Sequence, residues 1–215
     1  MNQPITVLLA DDHAVVSNGL RLLLDRSGEI QVVGVACDGR TAVAEARRLR
    51  PMVVVMDIAM PELNGIDATM EILRILPDTK VVILSMHYSS EHIYRALQAG
   101  ALGYVLKEAA GTEIVQAVET VASGRRYLSS KITGAAIMDY LREGRQEGPL
   151  ESLSPRERQI LQLTVEGRSS AEIAATLHLS PKTVDTYRSR LMQKLGIDDL
   201  PALVKFAIQN GLTAL

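Results

Sequence analysis

Four short apolar runs in the first half of the chain each end at a polar side chain that can bind phosphate or a metal ion. The runs are rich in β-branched residues and lack polar alternation, which is typical of parallel strands buried on both faces. Ligands of open parallel sheets bind just beyond the carboxyl ends of the strands. We therefore expect one crevice for a divalent cation and a phosphoryl group, lined by the residues that end the runs: Asp11, Asp12, Asp57, Ser85 and Lys107.

The chemistry of these side chains suits such a crevice. Three neighbouring carboxylates repel one another unless a hard cation joins them, and Mg²⁺ prefers carboxylates, waters and phosphate oxygens. The carboxylate of Asp57 can attack phosphorus and form an acyl phosphate. Ser85 can donate a hydrogen bond to the new phosphoryl oxygens, and Lys107 supplies a compact positive charge. We interpret His13 as the N-terminal residue of a helix rather than as a phosphodonor.

The elements that position these residues alternate along the first 124 residues. Five strand-like runs and five segments of helical period indicate an α/β domain over residues 1–124, with a doubly wound, five-stranded parallel sheet and helices on both faces. Past residue 124 the alternation stops. We predict a linker over residues 125–149 that contains one helix, over residues 132–141, and then a charged, glycine-containing stretch.

Residues 150–215 are predicted to form a small all-α domain of four helices. Ser154 and Ser169 each begin a capping box. In the third helix Val184 and Leu191 share one stripe, and polar side chains occupy the opposite face. A helix of this kind, preceded by a helix and a short turn, can enter the major groove of DNA. Charge alone favours a merely solvated face, because the domain carries 8 basic and 7 acidic residues.

Composition bounds the class of protein. The chain has 215 residues, 47% of them hydrophobic and 22% charged, which is typical of a soluble globular protein. No apolar stretch approaches the roughly 20 residues that cross a bilayer, and the start has neither a basic region nor a cleavable apolar core. We therefore expect no membrane insertion and no signal peptide. The single cysteine, Cys37, cannot form an internal disulfide, which favours a cytoplasmic location.

The first domain resembles the receiver domain of two-component response regulators. The resemblance is carried by Asp11-Asp12, Asp57 followed by Met60-Pro61 and Gly65, Ser85, and Gly103-Tyr104-Val105-Leu106-Lys107. It implies that Asp57 accepts a phosphoryl group from a sensor histidine kinase. It implies a site for Mg²⁺ (or Mn²⁺) made by Asp11, Asp12, Asp57 and the backbone carbonyl of Ala59. It also implies that Ser85, Tyr104 and Lys107 sense the phosphoryl group, with Tyr104 rotating into the space that Ser85 leaves.

The second domain is similar to the LuxR-type helix-turn-helix, through residues 153–157, 172–174, 179–184 and 194–196. The resemblance implies contacts with DNA phosphates from Lys182, Thr183, Arg190 and Lys194. It places Asp185, Thr186 and Ser189 at base-facing positions. Tyr187 stands where the family usually has histidine at the DNA backbone, and Arg188 would snorkel to a phosphate. The last helix, residues 201–210, would form the dimer contact on DNA through Leu203 and Ala207.

Together the two resemblances place the chain in the NarL/FixJ group of response regulators. They imply a cytoplasmic transcription regulator, not an enzyme, that dimerises when phosphorylated and then binds double-stranded promoter DNA. Two alternatives stay open: a phosphatase or phosphotransferase that works through Asp57, and a pseudo-receiver that never accepts phosphate. Ala59 stands where such hydrolases place a second acid, which disfavours the first, and the complete site disfavours the second. Ala59 also predicts slow self-dephosphorylation, because it cannot hydrogen-bond to a hydrolytic water.

Overall fold

The computed structural model describes residues 3–86, 89–132, 149–150 and 152–212. The chain divides into two compact units, residues 1–144 and 145–215. The helix predicted over residues 132–141 lies, but for its first residue, outside the described residues, as does most of the charged stretch after it. Within the described parts of the chain, no helix is long and apolar enough to cross a membrane.

The first unit is a parallel sheet with helices on both faces. Its strands are β1 (Ile5–Ala10), β2 (Ile30–Ala36), β3 (Val53–Asp57), β4 (Lys80–Ser85), β5 (Gly103–Leu106) and β6 (Tyr127–Leu128). Its helices are α1 (Ala14–Arg26), α2 (Gly39–Leu49), α3 (Gly65–Ile75), α4 (Ser90–Gln98) and α5 (Ala110–Ala122). The strand order is β2-β1-β3-β4-β5-β6, and every pairing is parallel. The predicted doubly wound α/β fold is confirmed.

Alternate strand residues pack into two different cores. Leu8 and Met56 join one core with residues of α2, α3 and α4, whereas Val7 and Val55 join the other with residues of α1 and α5. Because both faces are covered, the strands need no polar alternation. Each fully buried aliphatic side chain contributes about 1.5–3 kcal/mol relative to exposure. These two layers therefore hold the carboxyl ends of the strands firmly in place.

The sheet has a sixth strand, and the prediction of five strands is one short. Tyr127 and Leu128 pair in parallel with Gly103 and Tyr104 of β5. This strand lies inside the segment predicted as a linker. A strand of two residues is too short to show the alternation by which strands are found in a sequence, which usually needs about four to eight residues.

The second unit is a bundle of four helices, α6 (Pro155–Val165), α7 (Ser170–Leu177), α8 (Pro181–Leu195) and α9 (Leu200–Gln209). Both predicted capping boxes, at Ser154 and Ser169, are present. Gly196 ends α8 in the left-handed conformation, with φ at 63°, which glycine adopts at little cost. The predicted all-α helix-turn-helix domain is confirmed.

Leu203 and Ala207 of α9 lie in the core of this bundle. Both side chains are fully buried, in a cluster that includes Ile160 and Leu191. The prediction that these two residues form a dimer contact is therefore wrong, since neither can reach a second copy without leaving the core. The physical reason is their spacing: positions i and i+4 of an amphipathic helix share its buried stripe.

Candidate functional site

The carboxyl ends of β1 and β3 bring three acidic side chains together. Asp11 directly follows β1, Asp57 ends β3, and the two strands are neighbours in the sheet. Both of these residues are only 3% exposed, whereas Asp12 is exposed. Ligand atoms of these three residues and of His13 all lie within 4.8 Å of one another. The structure thus assembles the acidic cluster that the strand ends predict.

Lys107 lies between the two buried carboxylates. Its Nζ donates a hydrogen bond to Asp57 Oδ2 at 2.7 Å and lies 2.9 Å from Asp11 Oδ2. The ammonium group thus forms ion pairs with both buried carboxylates. Burial lowers the pKa of Lys107, but the attraction of the two carboxylates outweighs burial and raises it. Lys107 is therefore a charged bridge across the crevice.

The carboxylates are an incompletely neutralised group. Burial raises the pKa of Asp57, Lys107 opposes this effect, and the charges of Asp11 and Asp12 add to it. The ammonium of Lys107 contacts two of the three carboxylates, so their negative charge is only partly balanced by it. A hard divalent cation would relieve the remaining repulsion between the acids. The residues present therefore fit Mg²⁺, and Ala59 lies in the loop that follows Asp57.

His13 also belongs to the acidic cluster, although the sequence did not predict it there. It stands at the N-terminus of α1, as its sequence position predicted, and its side chain makes no capping hydrogen bond to the helix. Instead its Nδ1 lies 2.7 Å from Asp12 Oδ1 and 3.3 Å from Asp11 Oδ1. Its backbone N–H donates to Asp11 Oδ1 at 2.8 Å. The signal that could have found it is its position next to the paired acids. With 56% of its side chain exposed, it can leave Asp12 without disturbing the core.

Ser85 and Tyr104 are in contact with each other beside the acidic cluster. Ser85 ends β4, Tyr104 lies in the neighbouring β5, and both are buried. Burial raises the pKa of Tyr104 to about 12, although a hydrogen bond with Ser85 opposes the rise. In this structure the ring of Tyr104 is thus already inside the core, with its hydroxyl bound to the serine.

The loop after Asp57 folds back closely on that residue. The backbone N–H of Gly65 donates to the carbonyl of Ile58 at 2.8 Å, and the side chain of Asn64 caps α3. A Cβ atom on Gly65 would lie 1.9 Å from the carbonyl oxygen of Asp57. Because glycine has no Cβ atom, α3 can begin this close to the backbone of Asp57, and no other residue fits at position 65.

Gly65→Ala is expected to lower the free energy of unfolding by about 1–3 kcal/mol, because the new methyl group must push the Asp57 backbone aside. Urea unfolding measures the change. Gly19→Ala is the matched control, since Gly19 lies within α1 and a Cβ there meets no atom within 4 Å. That variant should be neutral or more stable by about 0.5–1 kcal/mol. Equal effects of the two substitutions would contradict the close approach at Gly65.

Helix α8 presents the side chains predicted to contact DNA. Its buried stripe contains Val184 and Leu191, as the periodicity predicted. Six of the predicted contact residues are exposed: Lys182, Asp185, Thr186, Ser189, Arg190 and Lys194. The other three are half-buried: Thr183, Tyr187 and Arg188. The whole predicted set lies on one helix that follows a tight turn after α7, the arrangement of a helix-turn-helix.

Two side chains near the start of α8 have partners within the domain. Asp185 Oδ1 accepts a hydrogen bond from Ser170 Oγ of α7 at 2.6 Å and lies 3.6 Å from Arg188 Nη2. Thr186 Oγ1 donates to the carbonyl of Lys182 at 2.9 Å. These contacts fix the orientation of the polar groups at the exposed start of the helix.

Lys194, at the other end of α8, forms an ion pair that the sequence did not reveal. Its Nζ lies 2.7 Å from Oε2 of Glu157, the capping-box glutamate of α6. Burial raises the pKa of Glu157, but hydrogen bonds with Lys194 and Ser154 outweigh burial and lower it. The partners are 37 positions apart, so no local pattern connects them. Lys194 thus joins α8 to α6.

Lys194→Ala is expected to lower the free energy of unfolding of the second unit by about 1–3 kcal/mol, because it leaves the buried Glu157 carboxylate without its cation. Thermal or urea unfolding of the full chain, followed by a probe in α8, measures the loss. Glu157→Gln combined with Lys194→Ala should recover part of it. If Lys194→Ala unfolds like the wild type, the ion pair contributes nothing to the domain.

Comparison with known proteins agrees with this architecture. The response regulator receiver domain matches residues 7–119, and the luxR family of bacterial regulatory proteins matches residues 151–207. The chain is 42% identical to the transcriptional regulatory protein MctR of Rhizobium johnstonii, over 98% of this chain and 96% of that protein. It is 40% identical to the response regulator UvrY of Escherichia coli K12, over 97% of this chain and 95% of that protein.

Solved structures show the same similarity. RcsB, a response regulator of Salmonella typhimurium, aligns with a TM-score of 0.65 and 27% identity, over 95% of this chain and 97% of that chain. RcsB in a complex with DNA aligns with a TM-score of 0.58 and 27% identity, over 98% of this chain and 100% of that chain.

A receiver domain with an acidic cluster at its strand ends, followed by a helix-turn-helix domain, defines a DNA-binding regulator of two-component systems. The chain belongs to the two-component response regulators, in the NarL/FixJ group that carries a LuxR-type DNA-binding domain. This family consists of transcription regulators rather than classical enzymes.

Proposed function

We propose that this protein is a phosphorylation-switched transcription regulator and that Asp57 is its phosphoacceptor. The observation that supports this most directly is the position of Asp57, which ends β3 beside two further acids and accepts a hydrogen bond from Lys107 at 2.7 Å. A sensor histidine kinase in the cytoplasm donates the phosphoryl group. The bond from the Asp57 oxygen to phosphorus forms as the phosphorus–nitrogen bond of phosphohistidine breaks, and the imidazole keeps the electron pair.

Asp11, Asp12, Asp57 and the backbone carbonyl of Ala59 would hold Mg²⁺ (or Mn²⁺). The cation supplies charge neutralisation between the carboxylates and the incoming phosphoryl oxygens. Lys107 supplies the remaining positive charge from the other side, because it already contacts both buried acids. His13 leaves Asp12 when the cation binds, since its exposed ring competes for the same carboxylate.

Phosphorylation switches the protein through Ser85 and Tyr104. The phosphoryl group adds nearly two negative charges and three strong acceptors next to Ser85 and Lys107. Before phosphorylation the hydroxyl of Ser85 is hydrogen-bonded to Tyr104. On phosphorylation it turns to the phosphoryl oxygens, so Tyr104 loses this hydrogen bond. The change acts as a population shift between two arrangements of β5 and the helices beside it.

The phosphorylated form dimerises and binds promoter DNA with α8 in the major groove. Lys182, Thr183 and Arg190 contact phosphates, and the base-facing positions are Asp185, Thr186 and Ser189. Tyr187 and Arg188 contact the DNA backbone. Lys194 contacts a phosphate with its third ammonium proton, because Glu157 and the carbonyl of Ser152 accept the other two. Two half-sites about one helical turn apart hold the dimer, and dimerisation raises affinity through the effective concentration of the second half-site.

Binding selection on genome fragments tests this proposal. Wild type and Asp57→Asn are each selected with and without beryllium fluoride as a phosphoryl mimic. We expect enriched fragments with paired half-sites for the wild type with the mimic, and weak enrichment in the other three arms. Enrichment that is the same in all four arms would contradict the phosphorylation switch but leave DNA binding intact.

Lys182→Ala is expected to weaken DNA binding equally on selected and scrambled sites and to reduce the slope of log affinity against log salt by about one. The reason is the loss of one exposed cation near the phosphates. Titrations at several salt concentrations measure the slope. Thr186→Val, which keeps the size of the side chain at a base-facing position, should change the preferred sequence and keep the slope. Identical behaviour of the two variants would contradict these roles.

A further inference from the structure

Glu113 of α5 is a buried carboxylate that belongs to neither of the sites described above. It is 9% exposed. Its Oε1 accepts hydrogen bonds from Ser130 N at 3.1 Å and Ser130 Oγ at 2.6 Å, and its Oε2 accepts one from Ser129 Oγ. The hydroxyl of Tyr127 is a further donor. All four donors belong to residues 127–130, a single short stretch of chain.

That stretch is β6 and the residues that follow it. The backbone N–H of Tyr127 donates to the carbonyl of Leu102 at 3.0 Å, and that of Ser129 donates to the carbonyl of Tyr104 at 2.8 Å. Lys131 also pairs with Glu108, next to Lys107, at 2.8 Å, although both of these side chains are exposed and the pair is weak. The chain that leads toward the DNA-binding domain is thus bonded to the backbone of the switch tyrosine.

Glu113 explains why such a short strand is formed. Burial raises the pKa of Glu113, but the hydrogen bonds from Ser129, Ser130 and Tyr127 outweigh burial and lower it, so the group is a carboxylate near neutral pH. Hydrogen bonds to a charged acceptor are about twice as strong as those between neutral groups. A two-residue edge strand has little stability of its own. The carboxylate therefore holds β6 on β5.

We propose that Glu113 is a positioning residue that couples the phosphoacceptor site to the chain leading to the DNA-binding domain. The inference rests on the proposed phosphorylation switch. When the hydroxyl of Ser85 leaves Tyr104, β5 readjusts, and the carbonyl of Tyr104 carries Ser129 with it. Because Glu113 fixes residues 127–130 to α5, the movement is passed along the chain instead of being lost by fraying of β6.

The test measures coupling in the full-length chain. The probe is a DNA duplex that the wild type enriches from genome fragments, and Kd is measured with and without beryllium fluoride and Mg²⁺. The ratio of the two Kd values is the coupling. Glu113→Ala is expected to reduce this ratio by about 2- to 30-fold, while uptake of beryllium fluoride and the Kd without it stay unchanged. Glu119→Ala is the matched control, an exposed glutamate on the same helix, and should keep the wild-type ratio.

A second variant approaches the same contact from the other side. Ser130→Ala removes one donor, the Oγ that binds Glu113 Oε1, at an exposed residue. It keeps the backbone N–H donor of residue 130, Glu113 itself and the core. A reduced ratio in Ser130→Ala supports the proposal even where Glu113→Ala fails to fold. A wild-type ratio in Ser130→Ala, or in a folded Glu113→Ala, overturns the coupling role and leaves the proposed function standing. A wild-type protein whose own ratio is one overturns the switch and the coupling with it.

Discussion

Asp57→Asn is expected to abolish labelling of the protein by acetyl phosphate, with a loss on the order of 10³-fold or more. The amide cannot serve as the nucleophile, because it lacks the anionic oxygen that attacks phosphorus. The remaining acids cannot replace it, because Asp11 and Asp12 follow a different strand, β1, and lie elsewhere in the crevice. Electrophoresis that separates the phosphorylated from the unmodified chain measures the labelling, with Mg²⁺ present.

Asp12→Asn is the control that separates the nucleophile from the cation site. Asp12 is exposed and contacts only His13 among the described ion pairs, so this variant should fold and keep Asp57 intact. We expect its labelling to be weak at low Mg²⁺ and to recover as Mg²⁺ is raised, whereas Asp57→Asn stays unlabelled at every concentration. Labelling of Asp57→Asn at the wild-type rate would show that another group, such as His13, accepts phosphate. A wild type that is never labelled would favour the pseudo-receiver alternative.

The acidic cluster was predictable because of a rule about sheets, not because its members are close in sequence. Lys107 and Asp57 are 50 positions apart, yet each ends a buried run, and parallel strands end at one edge of their sheet. The same reasoning indicated which residues of α8 are buried, since a helical stripe is visible in the spacing of Val184 and Leu191. Where the position of a side chain follows from the periodicity of its strand or helix, the sequence alone was sufficient to predict that position.

The remaining contacts could not be predicted because they join polar residues that share no period. Glu157 with Lys194 and Glu113 with Ser130 are pairs of this kind, and each depends on how two elements happen to dock. The roles carried over from the resemblance were less secure than the fold. Leu203 illustrates this, because the stripe predicted as a dimer contact is the side of α9 that packs in the core of its own domain.

Lys107→Met is expected to lower the free energy of unfolding by about 3–5 kcal/mol in the absence of divalent cations. The side chain of Lys107 is 10% exposed, and it contacts two carboxylates that are more deeply buried still. Methionine fills the same space without the charge, so the loss reports electrostatics rather than a cavity. Urea unfolding at pH 7 with a chelator measures it. Lys131→Met, which removes an exposed lysine from its pair with Glu108, should leave stability unchanged.

The pH and cation dependence of the Lys107→Met variant identify the cause. Burial already raises the pKa of Asp57, and removal of the ammonium raises it further. An acid whose pKa is higher in the folded state binds more protons there, so stability falls as pH rises from about 4. The deficit should therefore nearly vanish at pH 4 and be largest near pH 7. Mg²⁺ should stabilise this variant more than the wild type, since the cation then has no ammonium to compete with. A loss of unfolding free energy that is the same at every pH and Mg²⁺ concentration would mean that Lys107 acts through packing. It would also mean that the carboxylates of Asp11 and Asp57 do not share one electrostatic site.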